Sequence, residues 1–208
     1  MPAFKARKPD RFSEAPEPTP LAPPLDDAEL AERLASGDRW AQEAFYRKYV
    51  QLVWGVSLRL MGNRADAEDV VQDTFAEALR DARQMRDRSV IRGWLMSVAV
   101  HQAHRRFRRR RLLRTLGLER GHDATSLDAL ASRQAGPEQL AELRRLSELL
   151  ARQPTRRRIA WTLRYIEGCS LDEVAEYCGC SLATAKRDIS AAHDEIRRHV
   201  DIEEALDG

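Results

Sequence analysis

The stretch from Ser170 to Arg198, SLDEVAEYCGCSLATAKRDISAAHDEIRR, constrains the fold more than any other part of the chain. Ser170 and Glu173 stand in capping-box register, the hydroxyl and the carboxylate each satisfying a backbone N–H at a helix start. Leu171, Val174, Ala175 and Cys178 follow at helical spacing, so one face is apolar. Gly179 supplies a left-handed residue that ends a helix and turns the chain. Ser181 can cap a second helix, whose small and apolar positions Leu182, Ala185, Ile189, Ala192 and Ile196 recur on one side. Thr184, Lys186, Arg187, Ser190, His193 and Arg197 fall on its other faces, in reach of phosphates or base edges. A short helix, a Gly turn and a longer polar-faced helix make the helix-turn-helix pattern, whose second helix enters the DNA major groove. An ordinary helical hairpin with a solvated polar face has the same spacing. The rest of the chain has to decide between them.

At 208 residues there is room for one large or two small domains. Aromatic residues are only 6% and alternating β-branched runs are absent, so an all-α fold is expected. A net charge of +2 hides strong segregation, with seven arginines between Arg105 and Arg114 and an acidic tail after Val200. A local basic cluster matters more to a polyanion than the total charge. No apolar run approaches the ~20 residues a membrane helix needs, so no membrane insertion is expected. Lys5, Arg7 and Lys8 are followed by no apolar stretch, unlike a secretory signal. Three cysteines without a framework fit a reducing compartment, and the cytoplasm is the expected location.

Residues 1–25 hold seven of the nine prolines and read as a disordered arm. A helical domain is expected over 26–114. Asp26 or Asp27 caps a helix with Leu30 and Leu34 that closes at Gly37. Asp38 starts the next, with Trp40, Ala44, Phe45, Tyr49, Leu52, Val53, Val56 and Leu60, ending at Gly62-Asn63. From Ala65 to Ala82, Val70, Val71, Phe75 and Leu79 are expected to point inward. Asp66, Glu68, Asp69, Gln72, Asp73 and Glu77 crowd the remaining surface. Acidic residues early in a helix suit its dipole, but these run well beyond the first turn, which suggests a basic partner. A fourth helix, from near Ser89, carries Ile91, Trp94, Leu95 and Val98 and runs into RRFRRRRLLR, where nucleic-acid phosphate is the favoured counter-anion. A linker is expected over 115–136, with Leu127 and Leu130 able to support a short helix. Pro137 opens a second domain over 137–200 at a favoured first-turn position. Its first helix turns Leu140, Leu143, Leu146, Leu149 and Leu150 inward. Pro154 breaks that helix, and the next carries Ile159, Ala160, Leu163 and Ile166 before Gly168. Residues 201–208 are expected to form an acidic tail.

Taken together, these residues resemble the RNA polymerase sigma factors of the extracytoplasmic-function (ECF) type. That family carries a signature like GDRAEAEDLVQEVF, which Gly62 to Phe75 matches as GNRADAEDVVQDTF. A Trp-containing helix follows, here IRGWLMSVAV, then a basic stretch, a linker, the Leu-Arg-Tyr-x-Glu-Gly motif at Leu163 to Gly168, and the helix-turn-helix. The resemblance spans Asp26 to Val200, in the family's order.

The resemblance implies two helical domains joined by a flexible linker, and a factor that binds core RNA polymerase and directs initiation at −10 and −35 promoter elements. Glu68, Asp69, Gln72 and Asp73 would face the β′ clamp helices of core polymerase. Arg92, Trp94, His101, Gln102, His104, Arg105, Arg106, Arg108 and Arg109 would engage and melt the −10 element, with arginines on the backbone and aromatic or polar groups on unstacked bases. Ser181, Thr184, Lys186, Arg187 and Ser190 would read the −35 element through the major groove. An anti-sigma factor is a further expected partner. Two departures affect base preference. The family often has Asn, Leu and Asp where this chain has His101, Gln102 and Arg105, and a recognition helix like KSRLHRAR where it has KRDISAAH.

Cys169, Cys178, Cys180 and His193 match no common metal-ligand spacing, and small buried cysteines suit the turn of a helix-turn-helix. No Gly-rich phosphate loop, nucleophile elbow or Cys-x-x-Cys occurs, so neither cofactor, metal nor enzymatic activity is expected. Two other readings of the residues stay open. One is a stand-alone helix-turn-helix regulator. The other is a sigma-like adaptor that binds polymerase or an anti-sigma factor.

Overall fold

The computed structural model describes residues 26–84, 90–117 and 136–207. The expected Pro-rich arm, Ser89, and most of the linker with Leu127 and Leu130 lie outside the described residues. Eight α-helices are described, with no strand among the described residues.

Local capping sets most of the boundaries. Asp26 caps α1 (Asp27–Ala35) through Glu29 N–H, and Asp38 caps α2 (Arg39–Met61) through Trp40 and Ala41. Gly62 ends α2 in the left-handed region at φ 72°, and Asn63 caps α3 (Arg64–Asp81). A single 3-10 turn, Ala82–Gln84, follows. Helix α4 runs from Ile91 to Thr115. In the second half, α5 spans Pro137–Arg152, α6 Thr155–Tyr165, α7 Leu171–Tyr177 and α8 Leu182–Asp207. The stretch expected as an acidic tail thus continues α8, as far as Asp207.

The first half closes around Leu30, Phe45, Tyr49, Val53, Phe75, Ile91 and Leu95, supplied by α1 to α4. Phe45 sets its ring edge-on to Phe75, with centroids 5.6 Å apart. Each such side chain, fully buried, contributes about 1.5–3 kcal/mol. Trp94, expected in the core, is partly buried against this cluster. A second cluster joins Val56, Leu60, Met61, Val70, Met96 and Val100 to Ile159, Leu163, Val174, Tyr177, Ala185 and Ile189, so the two halves share apolar surface. Leu149, Leu150, Trp161, Ala192 and Ile196 form a third, smaller group confined to α5, α6 and α8.

Three polar or close contacts reinforce the shared surface. The Arg59 guanidinium of α2 grips the Glu167 carboxylate with two hydrogen bonds, the second at 2.7 Å. Arg158 of α6 reaches over the C-terminus of α2, its Nη2 only 3.3 Å from where a Cβ would stand on Gly62. Tyr177 of α7 abuts Gly93 of α4 in the same way, at 3.5 Å.

Several expected positions differ. Leu79, Leu143, Ile166 and Leu182 are exposed rather than inward, and the side chain of Leu140 lies outside the described residues. They sit at the margins of their apolar stripes, where period alone does not separate an edge from a core. Asp66, expected on the surface, is completely buried.

Candidate functional site

Asp66 is buried because it is the hub of a charged network. Asn63 donates to it at 2.8 Å, Arg106 Nε at 2.7 Å and Arg110 Nη1 at 2.8 Å. Burial alone would raise the carboxyl, but Asn63 and the two guanidiniums outweigh it and hold Asp66 below the usual carboxylate range. The network fastens the arginine-rich part of α4 to the start of α3. Arg106 also pairs with Asp69, so Arg106 is committed within the molecule and Asp69 faces an internal cation.

The other acidic candidates on α3 point outward. Glu68 is exposed and pairs with Arg64 one turn away, and Gln72 and Asp73 are exposed. They form one polar edge of α3, opposite the buried Val70, Val71, Thr74 and Phe75.

Along α4 the candidates divide. Arg92, His101, Arg105, Arg108 and Arg109 are exposed. Gln102 is buried and donates to Glu77, which also pairs with Arg105 at 3.3 Å. His101 hydrogen-bonds the Ser97 carbonyl, and its Nε2 approaches Gly179 of the helix-turn-helix to within 3.5 Å of a Cβ position. His104 is held neutral: burial, then the charges of His101, Arg108 and Arg156, lower it to about 4.

The helix-turn-helix has the expected geometry. Ser170 and Glu173 form the reciprocal capping box, Gly179 turns the chain at φ 60°, and Ser181 caps α8 by accepting from Thr184 N–H. Ala185, Ile189, Ala192 and Ile196 seat α8 on its neighbours, while Lys186, Arg187 and Ser190 are exposed. Asp188, two turns into that helix, faces Arg156 at 3.4 Å. Tyr165 stacks on His193, with centroids 5.2 Å apart.

Family models place the same two segments. Sigma-70 region 2 matches residues 45–112 and Sigma-70, region 4 matches residues 143–193. The ECF RNA polymerase sigma factor SigC of Mycobacterium tuberculosis is 31% identical over 170 residues, covering 80% of this chain and 87% of that protein. The chain belongs to the ECF RNA polymerase sigma factors.

The ECF RNA polymerase sigma-E factor of Haemophilus influenzae is 27% identical over 192 residues, 86% of this chain and 98% of its own length. Among solved structures, CnrH in complex with the cytosolic domain of CnrY superposes with a TM-score of 0.60 at 23% identity, covering 85% of this chain and 97% of that one. RpoE in complex with the anti-sigma factor NepR from Bartonella quintana gives 0.59 at 19%, covering 76% and 97%. At these identities the likeness establishes the fold. As a member of its family, the chain is an RNA polymerase sigma factor acting in promoter-directed transcription initiation.

All three cysteines of this sigma factor pack against the shared cluster. Burial pushes the Cys169 thiol up to about 11 and the Cys178 thiol to about 12. Thiols so far from the thiolate form are poor nucleophiles and poor ligands. Among the described residues no group of His, Cys, Asp and Glu is placed to hold a metal ion, and no helix is long and apolar enough to cross a membrane.

Arg158 is the feature the sequence reading missed. It lies over the Phe107 ring at 5.2 Å, and its Nε is buried without an acceptor. Burial and the neighbouring Arg110 lower it to about 10. A lone arginine in the RRR run after Pro154 gives no signal of this, because the partners come from α2 and α4.

Proposed function

We propose that the sigma factor divides its work between the two halves. Residues 26–114 take core polymerase and the −10 element, and residues 137–200 take the −35 element. The exposed edge of α3, Glu68, Gln72 and Asp73, docks on the β′ clamp helices, with Asp69 at its margin. Arg92, Arg105, Arg108 and Arg109 lie along the DNA backbone, and Trp94, His101 and His104 sit nearer the bases. Arg106 braces that surface through Asp66, and Gln102 does so through Glu77. Lys186, Arg187 and Ser190 enter the major groove, behind the capping pair Ser181 and Thr184. Base contacts add selectivity and phosphate contacts add register. Bond formation stays with the polymerase.

The observation that carries this reading is the pairing of two matched family regions with two exposed polar faces, the α3 edge and the α8 face, each backed by buried apolar residues. Because His101 lies against Gly179, freeing all of its ring for a base means parting the two halves. Proteins with this fold have been solved with an anti-sigma factor bound, which supports an anti-sigma partner here as well.

Two variants test the reading separately. Gln72→Ala with Asp73→Lys should weaken capture of core polymerase at least tenfold and leave duplex binding unchanged. Lys186→Ala with Arg187→Ala should do the reverse, reducing binding to a −35 duplex. Undiminished core binding by the first variant would remove α3 from the docking surface. Undiminished promoter output by the second would favour the adaptor reading.

A further inference from the structure

Between the second half of α4 and the junction of α5 and α6 lies a cleft of about 1610 Å³. Ten arginines line it, against the carboxylates of Glu77, Glu148 and Asp188. Glu77 is engaged by Gln102 and Arg105, and Asp188 by Arg156. Arg108 and Arg111 on one wall, and Arg152, Arg157 and Arg158 on the other, have no carboxylate partner among the described residues. Rows of guanidinium groups on facing walls raise one another's energy, and an anion between them lowers it. Arg158 sharpens the point, since it lines the cleft and carries a buried Nε–H with no acceptor. Buried donors without partners are rare in folded proteins.

The shape and lining select the anion. The volume exceeds the roughly 300–1,000 Å³ of a small-molecule pocket, so the occupant is extended. A docked peptide draws its affinity from apolar anchors, yet the exposed apolar side chains of the lining are only Ala151 and Pro154. Bases of a bound strand would need an open ring to stack on. The lining rings are Phe107, whose face Arg158 covers, the half-buried His104 and the exposed His101, too few for successive bases to stack on. We propose that this cleft binds a single phosphodiester strand through its backbone, with the bases left unread. The site meets the promoter face of α4 at His101, His104, Arg105 and Arg108, and Arg152, Arg157 and Arg158, on α5 and α6, are the part of it that the promoter contacts do not use. Both halves contribute to it, so an occupying strand holds them together across α4 and competes with their parting.

The test is fluorescence anisotropy of the full 208-residue chain with a labelled abasic phosphodiester oligomer of about ten units, a length within known single-strand site sizes. A thymidine oligomer, its duplex and an oligoglutamate of equal charge serve as comparisons. The expected result is that abasic and thymidine strands bind alike, both more tightly than oligoglutamate or duplex. Arg152→Gln with Arg157→Gln, two exposed-to-intermediate positions on helices, should weaken abasic binding about tenfold and reduce the salt slope by about 1.4, two phosphates' worth. Arg108→Gln with Arg111→Gln should act in the same direction. An unchanged circular-dichroism melt and unchanged core-polymerase capture by the Arg152/Arg157 variant would separate the site from stability and from the docking reading. The proposal is overturned by equal binding of oligoglutamate, by duplex binding more tightly than single strand, by thymidine binding tenfold tighter than the abasic chain, or by variants that bind as the parent does.

Discussion

Helices α1 to α4 close an apolar cluster among themselves, from Leu30 through Phe45 and Phe75 to Leu95, and need nothing from the rest of the chain to do so. The helix-turn-helix half is built on different terms. Its private cluster is small, and Ile159, Leu163, Val174 and Ile189 are buried against Val56, Leu60, Met96 and Val100 of the first half. Small domains bury a lower fraction of their surface and are correspondingly marginal. The second half therefore borrows stability from the first, and parting the halves costs it more. The polar contacts follow the same division. The first half is held by the Asp66 network within itself, and the second is tied to the first by Arg59 and Glu167.

The largest effect expected on this contrast comes from Asp66→Ala. It leaves Arg106 and Arg110 partly buried without their shared carboxylate, at a cost of about 3–5 kcal/mol. A denaturant titration should show both halves weakened, whereas Asp69→Ala, at a half-exposed partner, should cost under about 1 kcal/mol.

Paired leucine truncations sharpen the comparison. Leu95→Ala and Leu163→Ala each remove a fully buried side chain, with an expected loss of about 2–5 kcal/mol. Hydrogen exchange should show Leu163→Ala releasing α6 to α8 while α1 to α3 stay protected. Leu95→Ala should lower protection throughout. Equal responses to both would show one cooperative unit instead of a donor and a borrower.

Glu167→Ala breaks the charge-assisted tie to Arg59, worth about 2 kcal/mol. Its signature is a larger separation between labels placed on the two halves, with little change in the first half's own melt.

A further expected effect is a pH dependence through His104. Its folded value near 4 lies below the ordinary 6.5, so the unfolded chain binds a proton first. Stability present above about pH 6.5 is lost as the pH falls toward 4. His104→Gln should flatten that part of a urea-midpoint profile.

What was legible beforehand was chiefly local. Caps at Asp26, Asp38, Ser170 and Ser181, and turns at Gly62 and Gly179, are set by residues within four positions of one another, and all appear where expected. The helix-turn-helix face of Lys186, Arg187 and Ser190 followed from the same short-range logic. Partners far away in the chain were not legible. Asp66 reads as one more surface acid until Arg106, 40 residues on, folds back onto it. Gln102 looks like a base reader until Glu77 buries it. Glu167, 108 residues from Arg59, belongs to a motif whose spacing says nothing about its mate.

One further consequence lies in α4. The helix is 25 residues long, or about 37 Å, and its last buried residue is Ala103. The remaining three turns form a cantilever, braced near its root by Phe107 against the shared cluster and by Asp66. Opening energies fall along such a helix toward its free end. Amides near Leu112 should exchange orders of magnitude faster than those near Leu95, and whatever polyanion settles on the overhang should erase that gradient. The arginine-bearing end of the helix is thus its own built-in gauge of occupancy.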